Sequence, residues 1–217
     1  MKKFLPLFAF FAVVGMLAVN LSVRAEDPPK PDEDTWDNTE YGVKLSKPKG
    51  NAQWKIVGEG GWDNWFKSTD GVVFVMAKWQ TDNTQGDPQK SPPLVEMYGF
   101  RYDTMGSFSI GKWSGSPTST KGFAKAIFEQ VTEKDYKNLK NVSETDKVTY
   151  PCGKMYQFSC YGEHKKYGGS HYLRVMVCKR DSHDTYQFVV HCAPGEEKKS
   201  AVEIETILKS IRFYEVK

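Results

Sequence analysis

The hydrophobic pattern of this chain is mostly that of β-strands. Residues 71–80, GVVFVMAKWQ, form a nearly continuous apolar run rich in β-branched side chains. Such a run is typical of a strand that is buried on both faces. Shorter runs with turn residues at their ends predict strands within residues 41–50, 51–58 and 93–103.

The second half of the chain predicts three consecutive strands, at residues 154–162, 171–180 and 185–192. The segments that join them, EHKKYGGS and DSHD, are short enough for antiparallel neighbours. We therefore expect a three-stranded meander, with residues 212–214 as an extended tail at the end of the domain.

Two segments have helical periodicity instead. The first spans residues 121–141 and the second spans residues 196–210. The apolar residues that recur at helical spacing are Phe123, Ile127, Phe128, Val131 and Leu139 in the first, and Ala201, Ile204, Leu208 and Ile211 in the second. Each helix should pack its apolar face on the sheet. Residues 104–122, rich in Gly, Ser and Thr, predict a long loop that is either mobile or functional.

Residues 1–25 have the pattern of a secretory signal peptide. Lys2 and Lys3 precede an apolar run at residues 4–19, and the small residues Val23 and Ala25 suit cleavage after residue 25. The alternative is an uncleaved membrane anchor, but a spanning helix needs about 20 apolar residues. We therefore predict a secreted or periplasmic protein that has no membrane span once the leader is removed.

Removal of the leader also changes the charge balance. Lys2, Lys3 and Arg24 account for three of the 30 basic residues, so 27 remain against 27 acidic ones. A neutral mature chain lacks the large basic surface that nucleic-acid binding requires. Residues 26–39 are acidic and proline-rich, which predicts a disordered spacer. Residues 40–217 then form a single domain.

The order of these elements, with YGVKLSKPKGNAQWKI at the start and AVEIETILKSIRF at the end, resembles the PsbP-like family. This family includes the PsbP extrinsic protein of photosystem II and the Ran-binding Mog proteins. The resemblance covers residues 41–214 and implies an α+β fold, with a mainly antiparallel sheet flanked by helices as an α/β/α sandwich. It also implies a non-enzymatic protein that docks on a partner or helps to retain ions, and it transfers no catalytic residue.

The meander predicts one cluster of chemically active side chains. Its turns should bring Cys160, His164, His171, His191 and Cys192 to one end of the sheet. Thiolate and imidazole ligands suit Zn²⁺ or Cu⁺, so these residues are candidate metal ligands. Two strand spacings, about 9.6 Å, separate the strands of the two cysteines, and neighbouring residues point to opposite faces.

The four cysteines, Cys152, Cys160, Cys178 and Cys192, would reach an oxidising compartment on export. The strand separation disfavours a Cys160–Cys192 disulfide. The first hairpin instead places Cys152 near the far end of the middle strand, which favours Cys152–Cys178. A Cys–His nucleophile built from Cys192 with His171 or His164 is a further hypothesis, although packed thiols are the commoner role of such residues.

Three tryptophans in Gly-rich segments, Trp62, Trp65 and Trp113, are candidates for binding a sugar or a protein partner. The alternative is that they pack in the core or anchor loops. Together these observations predict an exported, non-catalytic binding or accessory module that docks on a protein or envelope partner and needs no cofactor. The alternatives are a metal-dependent factor or enzyme that uses the Cys/His cluster, and a glycan binder that uses the loop tryptophans.

Overall fold

A computed structural model describes residues 34–57, 72–80, 92–103, 107–117 and 119–215. The predicted leader, the first part of the predicted spacer, Trp62 and Trp65 lie outside these residues. The strands are β1 (Thr35–Asn38), β2 (Val43–Ser46), β3 (Trp54–Ile56), β4 (Val72–Lys78), β5 (Val95–Asp103), β6 (Phe108–Ile110), β7 (Trp113–Gly115), β8 (Tyr136–Tyr150), β9 (Gly153–His164), β10 (Ser170–Lys179), β11 (Asp184–Cys192) and β12 (Arg212–Phe213). The helices are α1 (Thr120–Asp135), α2 (Glu196–Lys199) and α3 (Ala201–Ser210).

A seven-stranded antiparallel sheet in the order β3-β4-β5-β11-β10-β9-β8 organises the domain. Strands β9, β10 and β11 form the meander that the sequence predicts. A smaller sheet in the order β1-β2-β12 and a hairpin of β6 and β7 complete the β-structure of the described residues.

The central strands of the large sheet are buried on both faces, which explains their continuous apolar runs. Alternate residues of β10 show this: Val175 packs in the cluster that contains α1, whereas Met176 packs in the cluster that contains α3 and β2. We call these sides the α1 face and the α3 face. The prediction of an α+β fold with helices on both sides of an antiparallel sheet is confirmed.

The long helix is shorter than its sequence pattern predicts. Helix α1 ends at Asp135, and residues 136–150 form β8, an edge strand that the sequence analysis missed. Leu139 is 39% exposed, so its helical spacing did not reflect burial. Strand β8 is mostly exposed and lacks an apolar alternation, while its pairing with β9 fixes its extended backbone.

The prediction of a disordered spacer up to residue 39 is wrong for its last part. Residues 35–38 form β1, which pairs with β2. The ring of Trp36 lies 5.9 Å from that of Phe74 and packs against the α3 face. Backbone pairing with β2 and the packing of one aromatic side chain thus join this acidic segment to the core.

The predicted long loop at residues 104–122 contains the hairpin of β6 and β7 and the start of α1. Its anchor is Trp113, whose ring centroid lies 5.5 Å from that of Phe123 on α1. Among the described helices, none combines the length and the apolar character needed to cross a membrane.

Candidate functional site

Three histidines meet at one end of the large sheet. His164 ends β9, His171 begins β10 and His191 lies near the end of β11, all on the α1 face. Their ring centroids are 5.1–5.3 Å apart, and His164 and His171 are nearly fully buried. The turns of the meander bring these side chains together, as the sequence analysis expected.

The hydrogen bonds of the cluster determine which ring nitrogens carry protons. His164 Nδ1 accepts the backbone N–H groups of Lys166 (3.1 Å) and Tyr167 (3.2 Å), so the proton of the neutral ring lies on Nε2. His171 Nε2 donates to the carbonyl oxygen of Gly168 at 2.8 Å. Its Nδ1 is then the acceptor for His191 Nε2 at 3.1 Å. Each neutral ring therefore has one defined tautomer.

Two acidic side chains face the same region. Glu96 on β5 is 5% exposed, and its Oε2 lies 3.9 Å from His191 Nδ1. Asp135 closes the cluster from the end of α1. These residues, with Tyr136 and His164, border a cavity of about 10 Å³, room for about one water molecule. Within the described residues, Glu96 Oε1 and His164 Nε2 are buried without a hydrogen-bond partner.

Burial shifts the titration of this cluster toward neutral forms. The pKa of His164 and that of His171 are lowered from 6.5 to about 4. Burial is the main cause of both shifts, and the nearby His191 contributes to both. Burial also raises the pKa of Asp135 above its ordinary value. His164 and His171 are therefore uncharged at neutral pH.

The metal site that the sequence predicts is not supported by this geometry. His164 directs an N–H toward the cavity, and His171 and His191 use facing nitrogens to bind each other, so these nitrogens are not available together as ligands. Cys160 is separated from His191 by Leu173 in the sheet register, and Cys192 lies on the α3 face. No three His, Cys, Asp or Glu side chains in the described part of the chain are placed to hold a metal ion.

The Cys–His nucleophile is not supported either. Cys192 lies on the opposite face of the sheet from the three histidines. Burial raises the pKa of Cys160 to about 11 and that of Cys192 still further. A thiol held protonated in this way is a poor nucleophile, so both side chains act as apolar packing groups.

A second candidate site lies on the α3 face, where the sheet meets α2. Tyr161 and Tyr172 are cross-strand neighbours on β9 and β10, with ring centroids 5.2 Å apart. Both are half-buried, and they line an open concavity of about 460 Å³. Lys140, Glu197 and Lys198 also border it, and Tyr161 donates its hydroxyl hydrogen to Glu197 Oε2 at 2.9 Å. We call these five residues the tyrosine surface.

The tyrosine surface leaves no distinct signal in the sequence. Its tyrosines lie within predicted strands, where an aromatic residue usually indicates core packing. Trp113, the loop tryptophan that the structure describes, is instead half-buried against α1. Added side chains at Gly115 or Gly122 would approach its ring to 3.0 Å. This tight contact fits loop anchoring better than an exposed sugar-binding platform.

Cys152 and Cys178 are neighbouring free thiols on the α3 face. A hydrogen bond from Cys178 lowers the pKa of Cys152, and the same bond, together with burial, raises the pKa of Cys178. Cys152 is therefore the thiol that ionises first. Its thiolate attacks a disulfide oxidant, forms a mixed disulfide and releases one reduced thiol; Cys178 then attacks the Cys152 sulfur and releases the second.

We predict that oxidised glutathione converts this pair into a disulfide. Intact mass spectrometry of the unfolded protein should show the loss of two hydrogen atoms, restored by a reductant, and peptide mapping should join Cys152 to Cys178. The Cys178→Ser variant should retain a glutathione adduct instead. A bridge between Cys160 and Cys192, or four free thiols after oxidation, would contradict this prediction.

Comparisons with known proteins concern the fold. No protein-family model matches this chain, and no curated protein is similar to it. The solved structures that are similar to it include the following three. Cyanobacterial PsbP from Synechocystis has a TM-score of 0.44 at 11% identity, over 83% of this chain and 91% of that one. LpqN of Mycobacterium tuberculosis, described as involved in cell envelope biogenesis, has a TM-score of 0.47 at 12% identity, over 80% of this chain and 83% of that one.

The third is a protein of Bacteroides thetaiotaomicron with a TM-score of 0.43 at 11% identity. The match covers 84% of this chain but 48% of the Bacteroides protein, about half of its length. This chain is thus similar in structure to a PsbP protein, a member of the family that its sequence resembles. The likeness assigns no activity to this chain.

Proposed function

We propose that the protein is an exported binding module without catalytic activity, which docks on a protein partner of the cell envelope through the tyrosine surface. The observation that supports this proposal is the pair of half-buried tyrosines in an open concavity, Tyr161 and Tyr172. Tyrosine offers a large apolar ring and a polar hydroxyl at low entropic cost, which is why it is enriched at binding sites.

The surroundings of the pair also suit a protein partner. Lys140 and Lys198 provide positive charge beside Glu197, a polar border of the kind that surrounds an aromatic centre in protein interfaces. The bond from Tyr161 to Glu197 holds one ring in place before binding, which reduces the entropy lost on association.

Export supports the same proposal. The leader-like residues 1–25 direct the chain out of the cytosol, and the neutral mature chain disfavours nucleic acid as a partner. Outside the cytosol the Cys152–Cys178 pair would meet an oxidising environment. The mature domain should therefore be tested with material from the envelope of its own cells.

The test is affinity capture from solubilised envelope with three forms of the mature domain: wild type, the Tyr161→Ala/Tyr172→Ala double variant and Tyr156→Ala. Tyr156 is a matched control, because it is half-buried on β9 but lies on the α1 face. A partner retained by wild type and Tyr156→Ala should bind the double variant roughly thirtyfold more weakly, the loss expected for one anchoring aromatic side chain.

Two results would count against the proposal. One is equal capture by all three forms, which would place the docking surface elsewhere. The other is the absence of any specific partner of the correctly folded wild-type domain. Circular dichroism of each form shows whether a loss of binding reflects loss of the fold.

A further inference from the structure

We propose that the loop between β9 and β10, residues 165–169, is a latch that acid releases. It is closed while His164 and His171 are neutral, and it opens when these rings take up protons. This inference concerns the histidine cluster and is independent of the tyrosine surface.

The closed latch depends on the neutral imidazoles. His164 Nδ1 accepts two backbone N–H groups of the loop, those of Lys166 and Tyr167. His171 Nε2 donates to the carbonyl oxygen of the next loop residue, Gly168. The Tyr167 ring also stacks on His164, with centroids 4.6 Å apart and an interplanar angle of 28°. Two histidines thus hold three consecutive loop residues.

Protonation of His164 breaks its contacts with the loop. The lone pair that can take a proton is on Nδ1, because Nε2 already carries a hydrogen. The added proton would turn Nδ1 into a donor that faces the two donors of Lys166 and Tyr167. Both hydrogen bonds are then lost, and two partly buried N–H groups need new partners, which movement of the loop toward water provides.

Protonation of His171 has a related effect one strand away. Its lone pair is on Nδ1, which accepts from His191 Nε2. A proton at this nitrogen places two N–H groups against each other, so either the rings separate or His191 carries its own proton on Nδ1, beside Glu96. Where the rings separate, His171 moves with the carbonyl of Gly168 to which it is bonded, and this effect adds to that of His164.

Charged groups on every neighbouring element act on this equilibrium. Glu96 on β5 and Asp135 at the end of α1 favour protonation of the rings, whereas His191 on β11 and Lys166 in the loop oppose it. Tyr98 on β5, Tyr136 on β8 and Cys160 on β9 are neutral at these pH values because burial raises the pKa of each. Lys165 lies near Asp135 and also opposes a further positive charge.

Part of the loop is held by bonds that do not titrate. Lys165 N–H donates to the carbonyl oxygen of Asp135 at 2.8 Å, and Gly168 N–H donates to that of His164 at 2.8 Å. These bonds fix the two ends of the loop. The expected movement therefore involves Lys166, Tyr167 and the carbonyl group of Gly168, which can turn because Gly168 and Gly169, at φ of 66° and 73°, are conformationally free positions.

Nuclear magnetic resonance of the mature domain, titrated from pH 7 to pH 3.5, tests the latch. We expect the ring signals of His164 and His171 to titrate near pH 4. The amide signals of Lys166 and Tyr167 should shift with the same midpoint and lose at least tenfold in hydrogen-exchange protection, corrected for the pH dependence of intrinsic exchange. The amides of α3 should stay native over the same range.

The His164→Asn variant separates a latch from a passive response. The Asn side-chain oxygen can accept the two loop N–H groups where Nδ1 accepts them, and it does not titrate, so most of the response of Lys166 and Tyr167 should disappear. The matched control is His183→Asn, because His183 is exposed in the turn between β10 and β11; it should respond like the wild type. If His164→Asn does not fold, His171→Asn should move the midpoint of the response to higher pH, because the nearby His171 lowers the pKa of His164.

Two results would overturn the proposal. In the first, His164 titrates while the amides of Lys166 and Tyr167 do not change. In the second, these amides change only together with those of α3, which would indicate global unfolding.

Discussion

Lowering the pH from 7 to 5 is expected to reduce the free energy of unfolding by about 2 kcal/mol for each of His164 and His171. In the folded protein both rings have a pKa of about 4, below the ordinary value of 6.5. Below pH 6.5 the unfolded chain therefore binds protons that the folded protein does not. Stability is lost as the pH falls from about 6.5 to about 4 and does not fall further through these groups.

The two contributions are not fully additive, since repulsion within the cluster is a shared cause of the two shifts. The contribution of Asp135 to the pH dependence of stability has the opposite sign. Burial raises its pKa above 3.8, so its contribution opposes folding at neutral pH and is relieved by acid. The histidine effect should therefore be measured between pH 7 and pH 5.

Urea unfolding at pH 7, 6 and 5 measures this prediction through the midpoint of the transition. The wild type and His183→Asn should lose stability in parallel as the pH falls, whereas His164→Asn should lose about 2 kcal/mol less. Equal pH dependence in all three proteins would show that His164 is not responsible.

The Glu203→Ala substitution is expected to destabilise the domain by about 3 kcal/mol, because it leaves a buried lysine without its counter-ion. Glu203 on α3 binds Lys78 Nζ at 2.7 Å through Oε2. The same oxygen accepts from Trp54 Nε1 at 3.1 Å, and Oε1 accepts from Asn51 Nδ2 at 2.7 Å. Lys78 is 7% exposed, and Ser200 Oγ is its other partner, at 3.1 Å.

Urea unfolding at pH 7 again provides the measurement. Glu129→Ala is the control, because Glu129 makes an exposed pair with Lys125 at 3.8 Å, and such a change should cost less than about 0.5 kcal/mol. The Lys78→Met/Glu203→Ala double variant should recover part of the loss, since it removes the unpaired charge. A cost for Glu203→Ala as small as that of the control would contradict the prediction.

The parts of the fold that could be predicted are those in which burial determines the residue type. Residues 73–78 and the three strands of the meander are buried on both faces, so their apolar runs indicate them directly. The extended conformation of strand β8 has a different cause, because its backbone pairs with β9 while most of its side chains face water. A pattern of side chains does not record such a strand. In β1, Trp36 was the signal of packing, but the surrounding acids and prolines concealed it.

The candidate sites could likewise be predicted only in part. Strand order and turn length were enough to bring His164, His171 and His191 to one sheet end, whereas the roles of their nitrogens depend on backbone groups of a loop. The parity of His191 and Cys192 already placed them on opposite faces. Glu96 and Lys78 could not be recognised as buried, because their partners lie far away in the chain.

The edge strand β8 also influences how copies of this protein meet. It stands at the end of the large sheet, and its register with β9 is interrupted between Lys137 and Lys140 and between Lys140 and Ser143. Asn138 and Asn141, at φ of 55° and 52°, turn the backbone at these interruptions. An irregular, lysine-bearing edge is a poor template for a strand from another molecule. Strand β8 thus disfavours polymerisation of the domain through this edge of the sheet at high local concentration.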